Sequence, residues 1–222
     1  MKLFIALALT FPLAAQQGIT RKQADDQIIK LLNEPDQPPP ARVKIDIDHA
    51  PTIGDYSATL TMVEFTDLEC PDCAKFHTEI FPKLRDAFIS TGKVQFVSRD
   101  LPLSIHPHAE QAAEAGRCAR EQGQFWEMRN WMSSNPTQLD LAHLRGQATV
   151  MGLNVEQFRH CLASAKYRAI IKAEVDDAMR NLHITGTPAF VIGKTAPIVD
   201  GEVVIGALPY EAFEAKLTAL TK

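Results

Sequence analysis

Two cysteines separated by two residues give this sequence its clearest potential for chemistry. Cys70 and Cys73 follow a mostly apolar run, 60–65, which predicts a buried strand. They precede apolar residues at helical spacing, namely Phe76, Ile80, Leu84 and Phe88. Unpaired N–H groups and the positive end of the helix dipole stabilise a thiolate at such a helix start and lower its pKa. We therefore expect Cys70 to be the exposed nucleophile and Cys73 to be its disulfide partner.

The residues around the two cysteines modify this expectation. Pro71 suits the first position of a helix, because its missing N–H group would have no partner there. Glu69 and Asp72 add negative charge, which disfavours a nearby thiolate. The sequence therefore predicts a weaker oxidant than one whose spacer is neutral or cationic.

Two other interpretations of the Cys-x-x-Cys segment remain open. Half of a zinc site would need two more cysteine or histidine ligands, usually at short spacing. The other cysteines, Cys118 and Cys161, are far apart in the sequence, and only Cys161 has a histidine beside it, which would point in a different direction on a helix. A static structural disulfide is the second interpretation, but the helix start favours reactivity. We predict no metal site and no cofactor.

Four segments together give the chain a specific resemblance. The strand and cysteine segment 63–73 is followed by Arg-Asp-Leu-Pro-Leu at 99–103, by Gln-Gly-Gln-Phe-Trp at 122–126 and by Gly-Thr-Pro-Ala-Phe at 186–190. In this order they resemble the DsbA-like branch of the thioredoxin superfamily, over roughly residues 50 to 220. The resemblance implies an α/β thioredoxin fold, in which a central mixed sheet is flanked by helices, with an inserted all-helical domain.

The resemblance also implies a substrate-binding surface. The peptide bond before Pro188 should be cis and lie against the active-site disulfide, with the backbone of Thr187 ready to pair with an extended substrate strand. By the same analogy, this proline keeps metal ions off the two sulfurs. Pro71 and Asp72 complete the predicted substrate-binding set. The alternative for Pro188 is an ordinary trans proline at the start of a strand.

Glu64 is a carboxyl group in a strand that should be buried, where it would be costly without a partner. The resemblance implies that it lies behind Cys73 and helps to move its proton, so we count it as catalytic with the two cysteines. Alternatively, it faces solvent at the margin of the sheet. Asp67 is a weaker candidate and is interpreted as a turn or cap residue. His77 follows Cys73 by four residues and could face the site, but a solvated helix position is the favoured interpretation.

The order of predicted elements divides the chain into a thioredoxin domain, 42–103 and 184–222, and a helical insertion, 104–183. A strand-helix-strand unit occupies the first part, and Pro82 should kink its helix. Strand signals disappear across the insertion, where glycine and proline separate three to five helices. After it, Asp200-Gly201 predicts a hairpin turn between two short strands.

Cys118 and Cys161 both fall in the insertion, on different predicted helices. In an oxidising compartment we expect them to pair, and some DsbA-like proteins carry a second, structural disulfide in their helical part. Closing so long a loop would contribute about 4 kcal/mol in the chain-entropy model. The alternative is a second redox pair that passes electrons to the Cys70–Cys73 pair.

The N-terminal segment predicts export. Residues 1–15 have one positive residue, a short apolar core and small residues before Gln16, as in a signal peptide, with a buried helix as the alternative. A periplasmic or otherwise extracytoplasmic location, which is oxidising, follows from this. Residues 16–41 predict a short helix and a proline-rich linker, which form either a docking arm or a poorly ordered extension.

Composition and charge narrow the class of function. The 222 residues are 45% hydrophobic and 23% charged, as in a globular protein, and a net charge of −4 offers no basic surface for nucleic acid. The resemblance implies an exported dithiol oxidase that introduces disulfides into unfolded or reduced exported proteins. We expect it to be a monomer and to be reoxidised by a membrane redox partner. The alternatives are a disulfide reductase or isomerase with the same cysteines, and a chaperone or binding module that uses the cleft without turnover.

Overall fold

The structure is built around a six-stranded mixed sheet. The computed structural model describes residues 38–195 and 198–221. The strands are β1 (Arg42–Ile45), β2 (Thr52–Ile53), β3 (Leu60–Thr66), β4 (Val94–Asp100), β5 (Ala189–Lys194) and β6 (Val199–Ile205). They lie in the order β1-β6-β5-β3-β4-β2. Strands β3 and β4 are parallel, and the other neighbouring pairs are antiparallel.

Strand β3 is the centre of the sheet, and every one of its residues is buried. Successive side chains of a strand point to opposite faces. Met62 packs in one apolar cluster with Phe96 of β4 and Phe190 of β5, whereas Val63 packs in a second cluster with Val191. Both faces of the sheet are therefore covered, which explains why the sequence of β3 is a nearly continuous apolar run.

The helix after β3, which we call α1, spans residues 71–89 and leads the chain back to β4. It consists of the α-helical segments Pro71–Lys75 and Phe81–Leu84, each followed by a π-helical segment, Phe76–Ile80 and Arg85–Ile89. The first π segment ends at Ile80, two residues before Pro82, where the sequence predicts a kink. A turn of this kind accommodates a residue that has no N–H group to donate.

Five helices lie between β4 and β5 within the described residues, all inside the predicted insertion. They are α2 (Ala109–Arg120), α3 (Phe125–Ser134), α4 (Leu141–Val150), α5 (Val155–Ser164) and α6 (Arg168–Asp176), and a π turn (Asp177–Asn181) continues α6. Helices α2 to α5 contribute to an apolar cluster of their own. The Cys118–Cys161 disulfide joins α2 to α5. A final helix, α7 (Tyr210–Leu220), packs on the sheet through Phe213.

Buried salt bridges fasten the insertion to the sheet. Arg117 of α2 donates from Nε to Asp100 Oδ2 (2.8 Å) and from Nη2 to Glu174 Oε2 (2.7 Å). The same Glu174 oxygen accepts the backbone N–H of Asp100 (2.7 Å). The guanidinium group of Arg117 in α2 therefore connects the end of β4 with α6. All three residues are buried, and Glu174 also pairs with Arg99 (3.3 Å), so these buried charges compensate one another.

The hairpin turn predicted at Asp200-Gly201 is wrong. Strand β5 ends at Lys194 and β6 already begins at Val199, so the chain reverses before these residues. Gly201 instead lies opposite Gly193 in the ladder. A Cβ atom added at Gly193 would lie 2.0 Å from the Asp200 carbonyl oxygen, so the glycine allows the two backbones to approach closely.

The signal peptide predicted at 1–15 and the helix predicted within 16–41 lie outside the described residues. In the part of the chain that the structure describes, no helix is both long enough and apolar enough to span a bilayer.

Replacing Arg117 with alanine would leave the buried Asp100 carboxyl group without its salt-bridge partner, and it would leave Glu174 with Arg99 alone. We expect the free energy of unfolding to fall by about 3–5 kcal/mol, measured by chemical denaturation followed by circular dichroism. The matched control is Arg159→Ala, which removes an exposed pair with Glu156 and should change stability little. Similar effects of the two substitutions would contradict a structural role for the buried cluster.

Candidate active site

The cysteine pair lies at the start of α1, as the sequence predicts. Cys70 is the N-cap residue, with extended backbone angles, and Pro71 is the first helical residue. Both cysteines are thiols in the structure. Cys73, one turn into the helix, is 2% exposed, and Cys70 is 7% exposed. Cys70 is therefore the more accessible sulfur, but it is largely covered rather than exposed as we expected.

The predicted substrate-binding residues meet the cysteine pair from a distant part of the chain. The Thr187–Pro188 peptide bond is cis. In its thiol form, Cys70 donates to the carbonyl oxygen of Thr187, with 3.5 Å between sulfur and oxygen. Pro188 comes directly before β5, where it has no ladder hydrogen bond to donate. Pro71 and Asp72 are exposed beside this junction, so these residues surround the accessible sulfur.

The two thiols differ strongly in acidity. The pKa of Cys70 is lowered to about 5, and the largest cause is a hydrogen bond from the Cys73 thiol. The side chain of Thr187 and the first backbone N–H groups of α1 lower it further, whereas burial raises it. Burial raises the pKa of Cys73 well above its ordinary value, and the bond to Cys70 and the charge of Glu64 raise it further. Cys70 is thus the thiolate at neutral pH, and Cys73 remains protonated.

The acidic neighbours of the pair do not prevent this ionisation. Glu69 accepts the backbone N–H of His108 through Oε2 (2.6 Å), so its charge is engaged at the start of α2. Asp72 is exposed, where solvent screens its charge. The hydrogen bonds to the Cys70 sulfur outweigh the repulsion that the sequence predicts from these two carboxylates.

Glu64 lies at the centre of a buried cluster of polar side chains. It is 0% exposed, so it does not face solvent at the margin of the sheet. Nε2 of His77 lies 2.8 Å from Oε1 and 3.0 Å from Oε2, and Arg129 of α3 donates to Oε2 from Nη2. Arg129 also donates from Nη1 to His77 Nδ1 (2.9 Å) and from Nε to Ser98 Oγ (3.1 Å). We call Glu64, His77 and Arg129 the buried triad.

The hydrogen bonds determine how the buried triad is protonated. A guanidinium group can only donate, so Nδ1 of His77 must accept, and the imidazole proton lies on Nε2 and points to Glu64. Burial lowers the pKa of His77, and Arg129 lowers it further, which together outweigh Glu64. Burial alone would raise the pKa of Glu64, but Arg129 and His77 outweigh it and lower that pKa. The triad is therefore a carboxylate, a neutral imidazole and a guanidinium.

Two members of the triad show where sequence reasoning failed. The favoured interpretation of His77 as a solvated helix residue is wrong, because it is buried on the sheet side of α1. Arg129 was not predicted at all. A signal for it does exist in the sequence, since Arg129 occupies the same helix face as Phe125, Met128 and Met132, where an apolar residue would be expected. A charge in such a position indicates a buried partner.

Asp67 holds the loop before α2 against the active site. Its Oδ1 accepts the N–H of Glu69 (2.8 Å), which is the turn role that the sequence predicts. Its Oδ2 accepts the N–H of Leu103 (2.8 Å) and contacts Nδ1 of His106 (2.7 Å). Burial lowers the pKa of His106, but Asp67, Cys70 and Glu69 outweigh it and raise that pKa.

The second pair of cysteines lies in the insertion. In the described ranges, Cys118, Glu121 and Cys161 are the one group whose ligand atoms lie close enough together to suggest a metal site. Both sulfurs belong to the disulfide, however. Thiolates are the form in which cysteine binds metals, so this group does not have the donors of a metal centre.

The structure therefore combines three features, namely a redox-type Cys-x-x-Cys at a helix start, a cis proline beside it and a helical insertion in a mixed sheet. The family model described as Thioredoxin matches residues 47–219, and the chain belongs to that family.

Curated relatives share parts of their length with the chain. It is 33% identical to a Na(+)/H(+) antiporter NhaA 3 from Salinispora tropica over 83% of the chain and 27% of the antiporter. It is 28% identical to a putative protein-disulfide oxidoreductase from Rickettsia conorii over 67% of the chain and 54% of that protein. The chain thus spans between about a quarter and a half of these relatives.

Two solved structures illustrate the fold that this chain shares. Wolbachia pipientis alpha-DsbA1 has a TM-score of 0.73 at 24% identity, covering 80% of this chain and 93% of that one. Oxidised BdbD from Bacillus subtilis has a TM-score of 0.71 at 20% identity, covering 83% and 99%. The predicted thioredoxin fold with a helical insertion is therefore confirmed.

The acidity of Cys70 can be measured from the ultraviolet absorbance of its thiolate. We expect a midpoint at about pH 5, and a higher midpoint in Cys73→Ala, because that variant loses the hydrogen bond that lowers the pKa most. Cys70→Ser should abolish the transition. A midpoint near the ordinary value of 9.0 would contradict the site geometry.

The lowered pKa also predicts how pH affects stability. A thiolate contributes to the stability of the reduced protein fully above the ordinary pKa of 9.0, and this contribution is lost as pH falls through about 5. The denaturation midpoint of the reduced protein should therefore fall relative to that of the oxidised protein as pH decreases from 9.0 to about 5. Parallel pH profiles of the two forms would contradict this.

Proposed function

We propose that the protein is an exported thiol-disulfide oxidoreductase that acts as a dithiol oxidase through Cys70 and Cys73. The lowered pKa of Cys70 carries this proposal. A stable thiolate favours the reduced enzyme, and an enzyme whose reduced form is stabilised is a strong oxidant. The name of the Rickettsia conorii relative, a putative protein-disulfide oxidoreductase, supports the same class of reaction.

The proposed reaction begins with the oxidised enzyme. A substrate thiolate attacks Sγ of Cys70, the bond to Cys73 breaks, and its electron pair stays on the Cys73 sulfur. Cys73 takes up one proton, because its pKa is raised. A second substrate thiolate then attacks the substrate sulfur of the mixed disulfide, and Cys70 leaves as a thiolate. The substrate loses two electrons and two protons, while the enzyme gains two electrons and one proton, and one proton goes to solvent.

The surroundings of Cys70 support a protein substrate. Thr187 places a backbone carbonyl against the reacting sulfur, and a backbone strand held in this way can pair with an extended peptide. Pro71 and Asp72, which follow Cys70 directly in the chain, are exposed. We propose unfolded or reduced exported proteins as substrates, since these present extended segments with free thiols.

The cellular context is part of the proposal. A signal peptide at 1–15 would deliver the protein to the periplasm or another extracytoplasmic compartment. The enzyme leaves each cycle reduced, so a membrane redox partner that accepts two electrons is required. We propose that the enzyme works as a monomer. The antiporter name of the Salinispora tropica relative describes a protein of which this chain matches 27%, so we do not extend antiport to this chain.

The reduction potential of the Cys70–Cys73 pair in glutathione buffers tests the direction of electron flow. We expect a value near that of DsbA itself, about −120 mV, whereas a value near about −270 mV, as in thioredoxin, would make the protein a reductant. Cys70→Ser should lose all exchange with a reduced unfolded protein. A variant that keeps its activity would favour the chaperone alternative.

We further propose that the Cys118–Cys161 disulfide is structural. Its residues are 43 positions apart in the sequence, so the bond restricts the unfolded chain substantially. Mass spectrometry of the same glutathione titration should find this disulfide oxidised while Cys70 and Cys73 change state. If both pairs titrate together, the alternative of an electron relay replaces this proposal.

A further inference from the structure

The buried triad contains two side chains, His77 and Arg129, for which the reaction above has no role. They are 7% and 1% exposed and make contacts with Glu64 and with each other. His77 lies on the cysteine helix α1, four residues after Cys73, and Arg129 comes from α3 of the insertion. Burying polar or charged groups costs free energy unless each is hydrogen-bonded or ion-paired, so packing alone does not explain this arrangement.

We propose that His77 and Arg129 are positioning residues of the redox site, which keep Glu64 a carboxylate throughout the reaction, so that it acts on Cys73 as a fixed charge and not as a proton carrier. This inference rests on the proposed function. It assigns Glu64 a different task from the one that the family resemblance implies, and it makes the helical insertion a part of the redox site.

The hydrogen bonds of Glu64 favour its carboxylate form. Both of its oxygens accept from His77, and Oε2 also accepts from the Arg129 guanidinium. A protonated Glu64 would have to turn one oxygen from acceptor to donor, yet His77 Nε2 and Arg129 Nη2 are themselves donors. Protonation would also leave the Arg129 charge buried without an anion, which is strongly unfavourable.

Within the described part of the chain, no other group around Glu64 is placed to take over its proton. In the ladder its neighbours are Ser98 on β4 and Phe190 on β5. The titratable or charged groups that face it are Cys73 and His77 from α1 and Arg129 from α3. His77 is fixed as a neutral donor by Arg129, so a proton cannot pass through its Nδ1 atom. Cys73 therefore faces a constant negative charge.

A constant charge behind Cys73 has a direct chemical effect. A neighbouring carboxylate disfavours a second anion, so it keeps Cys73 protonated while Cys70 ionises. The two thiols of the reduced enzyme are thereby separated in acidity, and the thiolate is confined to the accessible sulfur. A carboxyl group that changed its protonation during the cycle would weaken this separation at the moment when Cys73 leaves the disulfide.

Infrared spectroscopy tests the protonation of Glu64 without relying on catalysis. A carboxylic acid band belongs to Glu64 when it is present in a protein that has Glu64 and absent from the same protein carrying Glu64→Gln. We expect the wild-type protein to lack this band in both the oxidised and the reduced state between about pH 5 and pH 8. A Glu64 acid band that appears or disappears on reduction would overturn the proposal, since it would identify a proton carrier.

Variants of the two positioning residues sharpen the test. Arg129→Met should create the Glu64 acid band, and Arg129→Lys should not, because it keeps the cation. His77→Gln supplies a similar donor and acceptor that cannot titrate, so it should retain the wild-type spectrum. Appearance of a pH-dependent acid band in His77→Gln would contradict the proposal. If Arg129→Met does not fold, the wild-type spectrum and the lysine variant still decide the question.

The effect on Cys73 is measured in the Cys70→Ser background, where Cys73 is the one redox-site thiol. Adding Glu64→Gln should increase the thiolate fraction of Cys73 at a given pH about tenfold, which corresponds to one pKa unit. No change would show that Glu64 does not influence Cys73. These readings do not depend on exchange activity. An inactive wild-type enzyme with the expected spectra would refute the proposed function alone, and an active enzyme with a redox-dependent acid band would refute the triad alone.

Discussion

One constraint underlies much of this structure, which is that the charge of Glu64 cannot be buried without compensation. The carboxylate lies in the central strand of the sheet and is completely buried. Its cation, Arg129, comes from the helical insertion, and the histidine between them comes from the cysteine helix. Compensating this one charge therefore joins three elements, β3, α1 and α3, directly behind the reactive sulfurs.

The acidity of the cysteine pair depends on the same arrangement. Cys70 is at the helix start, where N–H groups and the Cys73 thiol stabilise its thiolate. Cys73 is one turn further in, where burial and the charge of Glu64 oppose ionisation. A difference of one helical turn thus separates a nucleophile from a protonated partner. This separation is what thiol-disulfide exchange requires of the two sulfurs.

The insertion is fastened to the sheet at more than one place. Beside the buried triad, Arg117 links α2 to the end of β4 and to Glu174 of α6. Within the insertion, the disulfide joins α2 to α5. These contacts are directional, because they are hydrogen bonds between charged groups or a covalent bond. The apolar clusters, in contrast, specify only which faces meet. The directional contacts hold α2 in place, and α3, which carries Arg129, shares the apolar cluster of the insertion with α2.

The sequence by itself determined the elements that local patterns encode. The apolar run of β3, the helix after it and the cysteine pair between them follow from periodicity and helix-end chemistry. The motif at 186–190 indicated the cis proline and its place beside Cys70. The fold class and the helical insertion could be predicted because the motifs that indicate them are local in the sequence and occur in the expected order.

Only the tertiary structure decided which distant groups meet. Asp200-Gly201 carries a strong turn signal, yet strand pairing with β5 places both residues inside β6, because the ladder outweighs a local preference. His77 has the sequence environment of a solvated residue, and Arg129 is 65 positions from Glu64. Their burial depends on how α1 and α3 pack on the sheet. A one-dimensional pattern records the type of a residue but not its partner, and for a buried charge the partner determines the chemistry.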